Sequence, residues 1–135
     1  MSTMEQLSAN QGNKQFELPN KADELLELTL VMCGKSDDHC PRFPKCLYDG
    51  YVSEILRTAT KIHHHVILAN EMPRGEYRAA LQKEAAGECV VLNHLIRTAT
   101  YKGWISEKQR DTWQKLVTSV RWKILGWIKS DAKKT

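Results

Sequence analysis

The strongest pattern in the sequence is a series of apolar residues spaced three or four apart across residues 47–70. They occupy the a and d positions of successive heptads: Tyr48, Val52, Ile55, Ala59, Ile62, Val66 and Ala69. Because this spacing places them on one face of a helix, we predict an amphipathic helix from Leu47 to Asn70. The segment from Asn70 to Gly75, which contains Pro73, ends that helix.

Two further helices follow with the same kind of pattern. The third is predicted over residues 76–101, and Gly103 lies just past its end, where a left-handed backbone costs glycine little. Its expected inward positions are Tyr77, Leu81, Ala85, Glu88, Leu92, Leu95 and Ala99. The fourth starts at Ser106, because Ser106 and Gln109 have the spacing of a capping box, and it frays near Ser130. Its expected inward positions are Trp113, Val117, Val120, Ile124 and Trp127.

A shorter helix precedes these three. It is predicted to begin at Asn20, a residue favoured at helix N-caps, and to stop at Gly34. Residues 1–19 are polar and are expected to form a disordered lead. Residues 20–131 then form one helical domain, and residues 132–135 form a short basic tail.

The fold predicted from these elements is an all-α, antiparallel, up-down four-helix bundle. The three long helices are joined by short connectors, which favour antiparallel neighbours. No stretch alternates between apolar and polar residues as a strand would. A chain of 135 residues has the usual size of one domain.

Charge is distributed unevenly along the chain. Residues 1–41 carry a net charge of −4, and residues 42–135 carry +8, counting Lys and Arg against Asp and Glu. Such a basic body makes a polyanion a plausible partner, although a solvated basic surface would give the same count. We find no secretory signal and no membrane-spanning run, so we expect a cytoplasmic protein without a membrane partner.

Three cysteines and a histidine lie in or directly beside the loop predicted between the first two helices, at residues 35–45. Cys33, Cys40 and Cys46, together with His39, invite comparison with a zinc site. Their spacing lacks the close pair of cysteines that structural zinc sites favour. We therefore expect no metal here and take these cysteines as free thiols.

A catalytic or metal site in the helices has no support from the pattern. His63, His64 and His65 are consecutive, so a helix points them in three directions, with His63 beside the core and the other two outward. Glu84 and Glu88 lie one turn apart, but the Glu-x-x-His motif of di-iron bundles is absent. We expect no enzyme activity, no metal and no cofactor.

A row of basic residues with one aromatic residue is the more informative surface. On the fourth helix it consists of Lys108, Lys115, Trp122 and Lys129, spaced seven apart and roughly opposite the core. Arg121 and Lys123 lie beside it, and Arg57 and Lys61, with His64 or His65, form a second outward row on the second helix. Aligned basic residues can neutralise phosphates. Trp122 would then either anchor a subunit interface or stack on a base.

Three short segments of the sequence carry a family resemblance: Arg42-Phe43-Pro44-Lys45, Lys102-Gly103-Trp104-Ile105-Ser106 and Gly126-Trp127-Ile128-Lys129-Ser130. In their order and spacing they resemble a four-helix-bundle family. It includes the accessory variability determinant of diversity-generating retroelements and the proteins encoded in intervening sequences of bacterial large-subunit ribosomal RNA genes. The resemblance implies a bundle that assembles into a cyclic homopentamer. For the retroelement branch it also implies binding to nucleic acid and to a reverse transcriptase.

Two functional hypotheses remain open at this point. The first is an accessory protein that binds RNA or DNA without sequence specificity, as a reverse transcriptase accessory protein would. Its contact residues would be Arg57, Lys61, Lys108, Lys115, Arg121, Lys123 and Lys129, with Trp122 at an interface or stacked on a base. The second is a structural or protein-interaction oligomer that does not bind nucleic acid.

Overall fold

The computed structural model of the chain describes residues 16–34 and 42–134. Within these ranges the fold is all-helical, with four α-helices and no β-strand, which confirms the all-α class and the four helices of the prediction. The helices are α1 (Leu18–Met32), α2 (Ser53–Glu71), α3 (Glu76–Tyr101) and α4 (Glu107–Lys133). A 3₁₀ turn (Lys45–Leu47) and a π-helical turn (Tyr48–Val52) lead into α2.

Several predicted features fall on residues that lie outside the described ranges. These are most of the predicted lead (residues 1–15), most of the first loop (residues 35–41) and the last residue of the predicted tail. His39 and Cys40 belong to that loop.

The helix ends differ from the prediction in three places, the first being α2, which begins at Ser53 and not at Leu47, because the 3₁₀ and π-helical turns occupy residues 45–52. α1 begins at Leu18, so the N-cap predicted at Asn20 is wrong. Pro19 lies in the first turn, where backbone N–H groups have no acceptor within the helix, so its missing N–H costs no hydrogen bond. α4 continues to Lys133, past the predicted fraying point at Ser130. The helical body therefore takes in Leu18 and Pro19 and extends two residues beyond 131.

The helices surround one core of buried side chains, and two of the predicted inward faces are confirmed. On α2 and the turn before it, every predicted position is buried except Tyr48, which is half-buried. All five predicted inward residues of α4 are buried. Trp113 reaches across the core, where its Nε1–H donates a hydrogen bond to Thr29 Oγ1 on α1 at 3.1 Å.

The inward face of α3 is only partly as predicted. Tyr77 is 60% exposed, and Glu88 and Leu95 are only half-buried. Cys89 and Ile96 are fully buried in their place. A small apolar thiol loses nothing on burial, whereas a carboxylate would have to give up its hydration, and this favours Cys89 over Glu88 at the inward position.

Each helix packs against two others. α2 and α4 each contact both α1 and α3, and within the described ranges α2 and α4 do not contact each other. The outward faces of α2 and α4 therefore lie on different sides of the body. None of the described helices is both long enough and apolar enough to cross a membrane.

The turns around α2 and α4 close one end of the body with aromatic side chains, which we call the closed end. Phe43 and Tyr51 each contact Trp104, with ring centroids 5.9 and 5.4 Å apart. Gly103 has a φ of +80°, so the predicted left-handed position after α3 is confirmed. The predicted capping box is also present: Gln109 N–H donates to Ser106 Oγ at 3.0 Å and Ser106 N–H donates to Gln109 Oε1 at 2.8 Å.

Candidate nucleic-acid interface and basic pocket

The predicted row on α4 is an exposed surface, which we call the α4 stripe. Lys108, Lys115 and Lys129 are exposed, and Trp122 between them is 62% exposed. Within the described residues, none of these lysines forms an ion pair with an acidic side chain. From Lys108 to Lys129 the stripe runs about 31 Å along the helix axis, at 1.5 Å per residue.

Arg121 and Lys123, predicted to lie beside the stripe, are both half-buried. The Arg121 guanidinium lies 5.8 Å from the centroid of the Trp122 ring. Its positive charge also lowers the pKa of Cys89 on α3, so this side chain lies toward the α3–α4 contact. Lys123 lines a pocket at the end of α4 instead.

The second predicted row, on α2, is weaker than the stripe. Arg57 is exposed but forms an ion pair with Glu54 one turn earlier, which offsets its charge. Lys61 is exposed. Since α2 and α4 do not touch, these residues form a separate surface from the α4 stripe.

Two of the three consecutive histidines contact acidic side chains on neighbouring helices. His63 Nε2 lies 2.7 Å from Asp23 Oδ1 on α1, and His65 Nε2 lies 3.1 Å from Glu84 Oε1 on α3. The expectation that His65 faces outward is therefore wrong, because a carboxylate on the neighbouring helix draws it inward; His64 is exposed as expected. Across the described residues, no group of three or more His, Cys, Asp or Glu side chains is placed to hold a metal ion.

The described thiols are free, and two of them are expected to be unreactive near neutral pH. Burial raises the pKa of Cys33 to about 12. Burial also raises the pKa of Cys89 to about 12, assisted by Glu88 and opposed by Arg121. Both thiols therefore stay protonated near neutral pH, where the reactive form would be the thiolate. Cys46 is exposed.

A pocket of about 440 Å³ lies at the end of the body opposite the closed end along α3, and we call it the basic pocket. It is lined by side chains from the chain before α1, from α1, from the α2–α3 turn and from both α3 and α4: Phe16, Leu18, Asn70, Arg74, Arg78, Lys123, Gly126, Trp127, Ser130, Asp131 and Lys134. Four of these residues are basic and one is acidic.

The inner wall of the basic pocket is an ordered polar cluster. Arg78 donates two hydrogen bonds to the carboxylate of Asp131, at 2.8 and 3.0 Å, and a third to the Met72 carbonyl at 3.0 Å. Gln82 Nε2 donates to the same carboxylate at 2.9 Å. The Arg78 guanidinium also lies 4.8 Å from the centroid of the Trp127 ring.

Sequence reasoning missed this pocket. It assigned Trp127 to the core and Lys134 to a tail, and gave Arg74 and Arg78 no role. The available signal was the spacing of Arg74 and Arg78, one turn apart around the start of α3. That signal gains meaning only when the end of α4 is known to lie beside the start of α3.

The sequence matches no protein-family model and no curated protein.

Proposed function

We propose that this chain is a non-enzymatic accessory protein that binds RNA or DNA without sequence specificity. The α4 stripe carries the proposal, because it presents three exposed lysines in line with an exposed tryptophan. The family resemblance points to the same class of ligand and suggests a reverse transcriptase as a protein partner.

The spacing of the stripe suits a phosphate backbone. Lysines seven residues apart on a helix are about 10.5 Å apart. Each strand of a duplex carries one phosphate for about every 3.4 Å of the duplex axis, so phosphates are dense enough for every lysine of the stripe to contact one. Contacts of this kind neutralise charge and read no base edges, so they carry no sequence information.

The role of Trp122 depends on what covers it. An exposed indole among lysines can stack on a base of single-stranded nucleic acid, and stacking accepts any base. The same side chain can anchor a contact with another copy of the chain, since tryptophan is favoured at interface centres. The second role belongs to the alternative function, a structural or protein-interaction oligomer.

The assembly we propose is the one that the resemblance implies: an antiparallel up-down bundle in a cyclic pentamer. The antiparallel order of α3 and α4 is supported by contacts that pair the start of α3 with the end of α4, Arg78 with Asp131, and the later part of α3 with the early part of α4, Asn93 with Gln114. An interface between copies is supported by large apolar side chains that remain exposed: Leu30, Val31, Val90, Val91 and Tyr101.

Fluorescence anisotropy with a labelled RNA and a labelled DNA tests the proposal. A variant with Lys108, Lys115 and Lys129 changed to glutamine should bind both more weakly. The slope of log affinity against log salt should fall by about two to three, since each phosphate contact contributes about 0.7–0.9. No binding by the natural chain at low salt would refute the proposal.

A matched variant controls for the loss of charge. Lys45, Lys83 and Lys102 are exposed lysines outside α4, and changing all three to glutamine removes the same charge. Equal weakening by both triple variants would mean that net charge, and no particular face, attracts the nucleic acid.

Trp122→Ala separates the two functions. If Trp122 stacks on a base, the variant should lose about 1–3 kcal/mol of affinity for single strands and keep its molar mass by light scattering. If Trp122 anchors an interface, the molar mass should fall in the absence of any nucleic acid.

A further inference from the structure

We propose that the basic pocket is a binding site for a phosphate monoester, selective for the dianion. Four basic side chains and one carboxylate line the pocket, which gives it a net charge of three positive. A phosphate monoester carries a charge of about −1.5 to −2 at neutral pH, more than the single charge of each phosphodiester within a nucleic acid strand. This inference goes beyond the proposed function, because none of the three lysines of the α4 stripe lines the basic pocket.

The one carboxylate in the pocket is already neutralised. Asp131 accepts two hydrogen bonds from Arg78 and one from Gln82, and its side chain is only 16% exposed. An incoming anion therefore meets little repulsion from Asp131. Arg78 in turn is held by Asp131 and the Met72 carbonyl, so the Arg78–Asp131 pair forms an ordered wall of the pocket without net charge.

The other three cations have no such partner. Within the described ranges Arg74, Lys123 and Lys134 form no ion pair or side-chain hydrogen bond. They come from the α2–α3 turn, from the body of α4 and from its end, and they line the same cavity. Unpaired charged donors from separate segments that line one cavity, whose single acid is already paired, are an arrangement that can bind a phosphate group.

The shape of the pocket indicates recognition of the phosphate and little recognition of a base. Its volume of about 440 Å³ is in the range of small-molecule sites and exceeds what a phosphate alone needs. The indole of Trp127 is only 8% exposed, with Arg78 over its ring and Phe16 against it in an edge contact. Because this ring is covered, a nucleobase cannot stack on it.

Two sources could supply such a group: a free mononucleotide, or the 5′-terminal phosphate of an oligonucleotide. Isothermal titration calorimetry of the full chain with AMP, CMP, inorganic phosphate and adenosine tests the shared chemistry. AMP and CMP should bind alike and adenosine should not bind. Affinity for AMP should fall at least threefold from pH 7.5 to pH 5.5, because the second pKa of the phosphate lies near 6.

Single variants locate the site. Lys123→Gln and Arg74→Gln should each weaken AMP binding at least fivefold, and Lys134→Gln provides a third test at the exposed end of α4. Lys115→Gln removes the same charge from an exposed position on the same helix and should leave AMP binding unchanged. Thermal unfolding of each variant, with an unchanged midpoint, separates loss of the site from loss of the fold.

Oligonucleotides distinguish the two sources. A 5′-phosphorylated DNA should compete with AMP better than the same DNA with a 5′-hydroxyl if chain ends enter the pocket; equal competition assigns the pocket to free mononucleotides. The inference is overturned if neither phosphate nor AMP binds saturably at millimolar concentration, or if Lys115→Gln weakens AMP binding as much as Lys123→Gln does. The two proposals can fail separately. If the variant of Lys108, Lys115 and Lys129 binds nucleic acid more weakly but AMP does not bind the natural chain, the inference about the pocket is overturned and the proposed function stands.

Discussion

The closed end and the basic pocket each contain a tryptophan, but the side chains that surround the two rings differ. At the closed end Trp104 packs between Phe43 and Tyr51, and no basic side chain shares that cluster among the described aromatic contacts. At the pocket Trp127 packs between Phe16 and the guanidinium of Arg78. The first arrangement excludes water, whereas the second keeps charge beside an open cavity.

Helix ends do not account for the difference in charge. α4 starts at the closed end with a complete capping box at Ser106, and α2 starts there without a side-chain cap. α1 and α3 start at the end with the basic pocket, also without side-chain caps, and α2 and α4 end there. The partial positive charge of two helix N-termini is therefore offset by the partial negative charge of two C-termini. The positive charge of the pocket comes from its side chains, whereas the closed end gains stability from the capping box and the aromatic cluster.

The largest expected effect on stability is at the closed end. Phe43→Ala should lower the free energy of unfolding by about 3–5 kcal/mol, because the ring is 1% exposed and its removal leaves a cavity beside Tyr51 and Trp104. Urea unfolding followed by circular dichroism measures this. Lys102→Ala is the control, since Lys102 is exposed near the same end and its loss should cost less than about 0.5 kcal/mol.

A change in the basic pocket should have opposite effects on stability and binding. Asp131→Asn leaves the half-buried Arg78 without its ion-pair partner, which should cost about 2–3 kcal/mol in urea unfolding. It also removes the only negative charge from the pocket lining, so AMP should bind more tightly in calorimetry. A variant that loses both stability and AMP affinity would mean that Asp131 positions Arg78 for the ligand.

The parts of the fold that were predictable are those that depend on one helix at a time. The inward face of α2 and the capping box at Ser106 follow from local spacing, and both are present. The inward position predicted for Glu88 was wrong, and Cys89 is buried there instead. Residues 88 and 89 follow Ala85 by three and four positions, so both continue the helical spacing and periodicity alone does not choose between them.

The parts that were not predictable depend on contacts between helices. His65 turns toward Glu84 on α3, and no pattern within α2 reveals that partner. Likewise the pocket joins Arg74 to Lys123 and Lys134, residues about fifty to sixty positions apart in the sequence. The exposed lysines of the α4 stripe needed only the helical period, which is why that surface was found first.

The smallest expected effect concerns the cap at the closed end. Ser106→Ala removes the acceptor for Gln109 N–H, so the first turn of α4 loses a hydrogen bond and unfolding should become easier by about 1 kcal/mol. Ser53→Ala is the matched control, because Ser53 is exposed at the start of α2 and makes no side-chain hydrogen bond to a described residue. Since Ser106 lies at the other end of α4 from the basic pocket, AMP affinity should not change. Equal destabilisation by the two serine variants in urea unfolding would mean that the capping box contributes nothing beyond helix propensity, and the contrast between the ends would then rest on the aromatic cluster alone.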